Sequence, residues 1–100
     1  MGRSRRFSYQ GALHHVTMRC NNKEFLFENE SKLLFMDQLA KSCSLHDIAL
    51  FNYCLMTNHL HLRFKVFDDR VLSVFMHHLA NVFARRFNIL RGRKGHLWED

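Results

Sequence analysis

An α+β fold on the ferredoxin-like, split βαβ plan is predicted for this 100-residue chain by three patterns in its sequence. Polar and apolar residues alternate with period two around 12–20 and again around 59–66, the mark of strands with one face in a core. Apolar residues recur at helical spacing in 31–45 and from Arg70 to about Leu90. The resulting order is strand, helix, strand, strand, helix and the start of a last strand, which places the first and third strands side by side in an antiparallel-containing sheet with both helices on one face. The size allows one domain with a modest core, and 47% hydrophobic residues including ten Phe predict that it folds.

Residues 1–8 are basic and aperiodic and are expected to form a flexible arm. In the first strand, Leu13, His15, Thr17 and Arg19 share one face, with His14, Val16, Met18 and Cys20 on the other. Asn21-Asn22-Lys23 reads as a turn, because Asn tolerates left-handed backbone and bonds its own neighbours. The first helix offers Asn29 or Ser31 as its cap and Leu33, Met36, Leu39, Ala40 and Cys43 as its core stripe. Residues 48–56 are apolar apart from Asn52, which suits a strand buried on both faces, and Thr57-Asn58 turns it into a hairpin with the next strand. The second helix carries Leu72, Phe75, Met76, Leu79, Val82, Phe83 and Phe87 on its core side. Gly92 ends it, and His96-Leu97-Trp98 begins the last extended element.

Fifteen Lys and Arg against nine Asp and Glu leave a net charge of +6, which favours polyanionic partners, nucleic acid before acidic membrane. No segment has the length of a membrane span or a signal peptide, so a cytoplasmic protein is expected. Three widely spaced cysteines, Cys20, Cys43 and Cys54, support neither a disulfide framework nor a zinc knuckle and are expected to be buried thiols.

The most informative residues are His59 and His61 in Asn58-His59-Leu60-His61-Leu62-Arg63-Phe64. In a strand their side chains share a face about 6.7 Å apart along the chain, close enough for two neutral imidazoles to meet at one metal ion. Leu60, Leu62, Phe64 and Val66 take the other face, so the histidine face, with Arg63 and Lys65, is cationic and outside the core. A pair of surface histidines without metal is the plainer alternative. Pairing the first and third strands would add His15, Thr17 and Arg19 to the same surface.

Leu55-Met56-Thr57-Asn58-His59-Leu60-His61-Leu62, with His15-Val16-Thr17 and Arg19-Cys20-Asn21-Asn22 upstream and Gly95-His96-Leu97-Trp98-Glu99-Asp100 downstream, resembles the REP-associated and related single-tyrosine transposases over nearly the whole chain. The histidine pair corresponds to the HUH signature of that superfamily. The resemblance implies a nuclease of single-stranded or hairpin DNA. It further implies that His59 and His61 hold Mg2+ or Mn2+ with a third polar ligand, and that a tyrosine attacks the phosphate to leave a 5′-phosphotyrosine for rejoining. The family's tyrosine lies on a helix beyond the Trp-containing segment, where this sequence has no residues, so the expectation is a single transposase-like domain over 1–100 that is incomplete at its C-terminus and lacks the nucleophile. Of the two tyrosines present, Tyr9 lies in the amino-terminal segment and Tyr53 in a strand expected to be buried; neither is assigned a catalytic role.

Arg19, Arg63, Arg85, Arg86, Arg93 and Lys94 are the candidate DNA contacts through phosphate neutralisation. His15 and Thr17 are accessory candidates, His77 and His78 are expected to be structural or exposed, and Trp98 to pack in the core or in a homodimer. The main alternative function is a catalytically silent nucleic-acid-binding remnant. A metal-independent two-histidine phosphoesterase is a weaker one: His15-Val16-Thr17 supplies one His-x-Thr motif, but His61-Leu62-Arg63 lacks the second hydroxyl. Incubation with labelled hairpin DNA and Mn2+ is expected to give no denaturation-resistant protein–DNA adduct.

Overall fold

The structure, a computed structural model, describes residues 12–20, 26–68 and 70–99. The arm at 1–8, Tyr9 and the turn at 21–23 lie outside the described residues. Five elements follow in the expected order: β1 (Ala12–Arg19), α1 (Asn29–His46), β2 (Ile48–Leu55), β3 (His59–Val66) and α2 (Arg70–Arg91). The strands form one antiparallel sheet in the order β1-β3-β2. Trp98 forms a single antiparallel bridge with Cys20, and the Glu99 N–H donates to the Arg19 carbonyl at 2.8 Å. The last element of the split βαβ plan is thus present as one bridge on the outer side of β1.

β3 is the middle strand, and its alternation is complete: Leu60, Leu62, Phe64 and Val66 are fully buried, while Arg63 is exposed and His59, His61 and Lys65 are partly so. Both helices cover the buried face. Phe75 of α2 meets Phe64 edge-on at 5.2 Å between ring centroids, and Phe83 packs on Phe27, Phe35, Phe87 and Trp98. The indole N–H of Trp98 donates to the Ala80 carbonyl at 2.9 Å, so this side chain is core and not a base-stacking platform.

The helix stripes need one correction. On α1 the buried positions are Ser31, Phe35, Gln38, Leu39 and Ser42, whereas Leu33 is 71% exposed, Ala40 is exposed, and Met36 and Cys43 are only half-buried. The apolar pattern misleads because the α1–α2 seam is partly polar. The Gln38 amide donates to Ser42 Oγ at 3.2 Å, Ser42 Oγ lies 3.0 Å from His78 Nδ1, and Arg86 donates to Gln38 Oε1 at 3.0 Å. These mutual partners let polar side chains occupy a buried seam. The N-cap is Glu28, ahead of both expected residues, and Ser31 joins the cap by accepting from the Glu28 backbone N–H at 2.9 Å. On α2 the buried stripe is as expected except that Ala80 replaces the half-buried Val82. Gly92, with φ +61°, closes α2 through Gly92 N–H to Ile89 O and Arg93 N–H to Asn88 O, the paired bonds of a left-handed glycine cap.

β2 is not buried on both faces. It is an edge strand with Phe51 55% and Tyr53 46% exposed, and Cys54 is exposed as well, against the expectation of a buried thiol. Its register shifts between Leu50 and Asn52: Leu50 pairs with Phe64, and Asn52 pairs with Arg63. Phe51 is therefore an extra residue that reverses the alternation. Ile48 and Leu50 face the helices before it and Tyr53 and Leu55 after it, so two apolar half-patterns of opposite phase read in sequence as one continuous apolar run.

Phe83→Ala is expected to cost about 3–5 kcal/mol, much of the net stability of a domain this size. Leu33→Ala should change it by less than about 0.5 kcal/mol. Urea unfolding followed by circular dichroism checks both.

Candidate metal and nucleic-acid site

The face of the sheet turned away from the helices collects the singled-out residues in cross-strand rows. Thr17 and Cys54 flank His61, His15 and Asn52 flank Arg63, and Arg19 pairs with His59. Directly paired side chains on one face have Cβ atoms about 4.5–5.5 Å apart, so each row is in mutual contact range. The His59 and His61 rings stand nearly perpendicular, 82° apart, with centroids at 5.2 Å.

Both imidazoles are held through the same ring atom. His59 Nδ1 is 3.0 Å from Asn58 Oδ1, while His61 Nδ1 is 3.0 Å from Thr17 Oγ1 and 3.3 Å from His15 Nε2. No hydrogen bond to either Nε2 is found among the described residues. The His59 pKa is held below the ordinary histidine value, first by partial loss of solvent, then by the positive charge of Arg19 and by His61. A depressed value keeps the ring neutral, the form in which a histidine nitrogen ligates metal.

The β2–β3 turn that leads into the pair is fastened from outside. Met56 N–H donates to the His59 carbonyl at 2.8 Å across a loop of Thr57 and Asn58. Neither loop residue has positive φ, so the primed turn that usually suits such a loop is not used. Instead the Thr57 carbonyl accepts from Leu26 N–H at 2.6 Å, and the Asn58 carbonyl accepts from Cys20 N–H at 3.0 Å. Tertiary bonds thus fix where His59 enters the sheet.

Of the expected residues, His15, Thr17, Arg19, His59, His61 and Arg63 come together on this face. Arg85, Arg86, Arg93 and Lys94 do not, since they belong to the carboxyl end of α2 and the loop after it. Within that group, Arg86 bonds Asp37 at 3.3 Å as well as Gln38; Lys41 first and then Arg86 hold the Asp37 carboxyl below the usual range. Arg93 donates to Asn88 Oδ1 at 2.6 Å and to the His96 carbonyl at 3.3 Å. Arg85 and Lys94 are exposed. His78 is bonded to Ser42, and the exposed His77 to Asn81. Sequence reasoning missed Asn52, Cys54 and Asn58. Counting outward from the Thr57-Asn58 turn would have paired Cys54 with His61 and Asn52 with Arg63.

A family model described as transposase IS200-like matches residues 8–100. The chain belongs to this family. Two solved structures share its fold. One, a REP-associated tyrosine transposase bound to a REP hairpin, matches with a TM-score of 0.75 and 15% identity over 99% of this chain and 58% of the other. The second, a Deinococcus radiodurans R1 protein described as a transposase, matches with a TM-score of 0.73 and 19% identity over 99% of this chain and 80% of that one. This IS200-like chain therefore spans little more than half the length of the REP-associated enzyme. No curated protein sequence gave a match. No described helix of this family member is long and apolar enough to cross a membrane.

Arg19→Gln removes one of the two charges that depress the His59 pKa. The expected outcome is an upward move of the His59 titration midpoint toward its ordinary value, measured by NMR titration of the ring protons.

Proposed function

We propose that this chain binds single-stranded or hairpin DNA on the open face of its sheet and holds Mg2+ or Mn2+ through His59 and His61. It would then be the metal-binding half-site of a transposase that cleaves and rejoins DNA through a phosphotyrosine. The observation that carries the reading is the pairing of β1 with β3, which lines up His15, Thr17 and Arg19 against His59, His61 and Arg63 on the face turned away from the helices. That face belongs to a chain with a net charge of +6, and the hairpin-bound relative shares its fold.

The donor set fits a divalent cation in part. Among the described residues two imidazoles have no hydrogen bond to Nε2, and no group of three or more His, Cys, Asp or Glu side chains is placed to hold a metal. Water and phosphate oxygens would complete the coordination, and nitrogen donors suit Mn2+ better than the harder Mg2+, which prefers oxygen. When bound, such a cation draws charge off a phosphoryl oxygen and orients it for in-line displacement. The chain's own residues do the rest. Arg19 and Arg63 neutralise flanking phosphates, and the neutral ring of His59 keeps its lone pair for ligation.

We assign no nucleophile to Tyr53. It pairs with Leu62, whose side chain faces the helices, so it belongs to the opposite face from His61. Binding without catalysis is the second reading, favoured by the two-residue donor set. Edge strand β2, with Phe51 and Tyr53 exposed, is where a second copy would pair in a homodimer.

Calorimetric Mn2+ titration and fluorescence anisotropy with a labelled hairpin test the proposal together. His61→Ala should abolish the Mn2+ heat and leave binding of DNA in chelator intact. Arg63→Gln should weaken DNA binding and lower the slope of log K against log salt by about 1. Unchanged Mn2+ affinity in His61→Ala would remove the metal assignment, and an unchanged salt slope in Arg63→Gln would remove the open face as the DNA surface.

A further inference from the structure

We propose that Thr17 and Asn58 are positioning residues that hold His61 and His59 in the Nδ1–H tautomer, so that both Nε2 lone pairs face outward to a divalent cation. The inference rests on the metal reading above and assigns a role to side chains that are not themselves ligands.

The constraint is firmest at His59. An amide oxygen can only accept a hydrogen bond, so the 3.0 Å contact between Asn58 Oδ1 and His59 Nδ1 requires the proton on Nδ1. In the neutral ring Nε2 then carries the lone pair. At His61 the hydroxyl of Thr17 could donate or accept, and the second neighbour decides between the two. Thr17 Oγ1 at 3.0 Å and His15 Nε2 at 3.3 Å both approach the same Nδ1. One N–H shared between two acceptors is a common three-centre arrangement. A neutral imidazole nitrogen without a proton has a single in-plane lone pair, which two donors cannot both use well. The His61 Nδ1–H therefore donates to Thr17 Oγ1, with His15 Nε2 as the weaker partner at the long end of the range.

The two arrangements reach the same result from different elements. Asn58 sits in the turn whose carbonyl is bonded by Cys20, and Thr17 sits on β1 directly opposite His61. An outer partner on the non-ligating nitrogen fixes a metal-binding histidine's tautomer and ring orientation. Here that partner is in place on each ring, which lowers the ordering that cation binding would require.

The test uses the whole chain, with Thr17→Val as a near-isosteric variant that keeps the β-branched shape and removes the hydroxyl, and Thr17→Ser as the variant that keeps it. In metal-free wild type at neutral to mildly alkaline pH, nitrogen-15 spectra of the rings should show protonated Nδ1 and unprotonated Nε2 at both His59 and His61. In Thr17→Val the His61 ring should shift toward the Nε2–H form that free histidine favours, with His59 unchanged. Mn2+ affinity should fall about 10–100-fold in Thr17→Val and recover in Thr17→Ser. Strand amide spectra identify any variant whose sheet is disturbed, and the wild-type tautomer measurement decides the matter without the variant. An unprotonated Nδ1 at His61 in wild type, or Mn2+ affinity unmoved by Thr17→Val, would overturn the proposal. If wild type binds no Mn2+ while the tautomers are as stated, the metal reading falls and the hydrogen-bond assignment stands.

Discussion

The alternation of β3 is the constraint on which the rest of the molecule depends. Leu60, Leu62, Phe64 and Val66 are fully buried on one side of a strand whose other side carries His59, His61 and Arg63. Burying four such side chains contributes about 6–12 kcal/mol, comparable with the whole net stability of a domain this size. A slip by one residue would exchange the two faces and forfeit that contribution while placing imidazoles and a guanidinium against the helices. The core thus holds the register of the site, and the histidines need no packing of their own to stay on the open side.

Fixing a register does not fix ring orientation, and a second set of contacts supplies that. Thr17 and Asn58 each touch a ring nitrogen, and the turn bearing Asn58 is tied to Cys20 and Leu26 by backbone bonds. The carboxyl end of α2 is linked to the start of α1 by the Arg91–Glu28 ion pair at 3.1 Å. Residues 26 and 27, just before α1, bond the Thr57 carbonyl. The end of the sheet where the imidazoles begin is therefore the end at which both helices are fastened.

Most of the fold was legible because its signals are local. The order of elements, the middle position of β3, the helix ends at Gly92 and Arg70 and the meeting of His15, Thr17 and Arg19 with the histidine strand all follow from period and turn chemistry. What could not be read depended on partners far away in sequence. Leu33 and Ala40 are apolar and exposed, and Gln38 and Ser42 are polar and buried, because α2 brings His78 and Arg86 to the seam. Arg86 and Arg93 looked free to grip phosphate for the same reason: sequence shows a charge but not the carboxylate, amide or carbonyl that already engages it. At the site itself the histidines were visible from spacing, whereas Asn52 and Cys54 sat in a nearly continuous apolar run whose faces are told apart only by counting from the turn.

The change of phase within β2 has a chemical consequence. Ahead of Phe51, the even-numbered residues of β2 look toward the helices; beyond it they look the other way, and Cys54 lies beside His61. The count from the Thr57-Asn58 turn puts the thiol beside the imidazoles, and the one surplus residue lets the far half of the strand still turn Ile48 and Leu50 to the core. A regular strand of the same sequence could keep either Ile48 and Leu50 on the core side or Cys54 beside His61, and the bulge allows both.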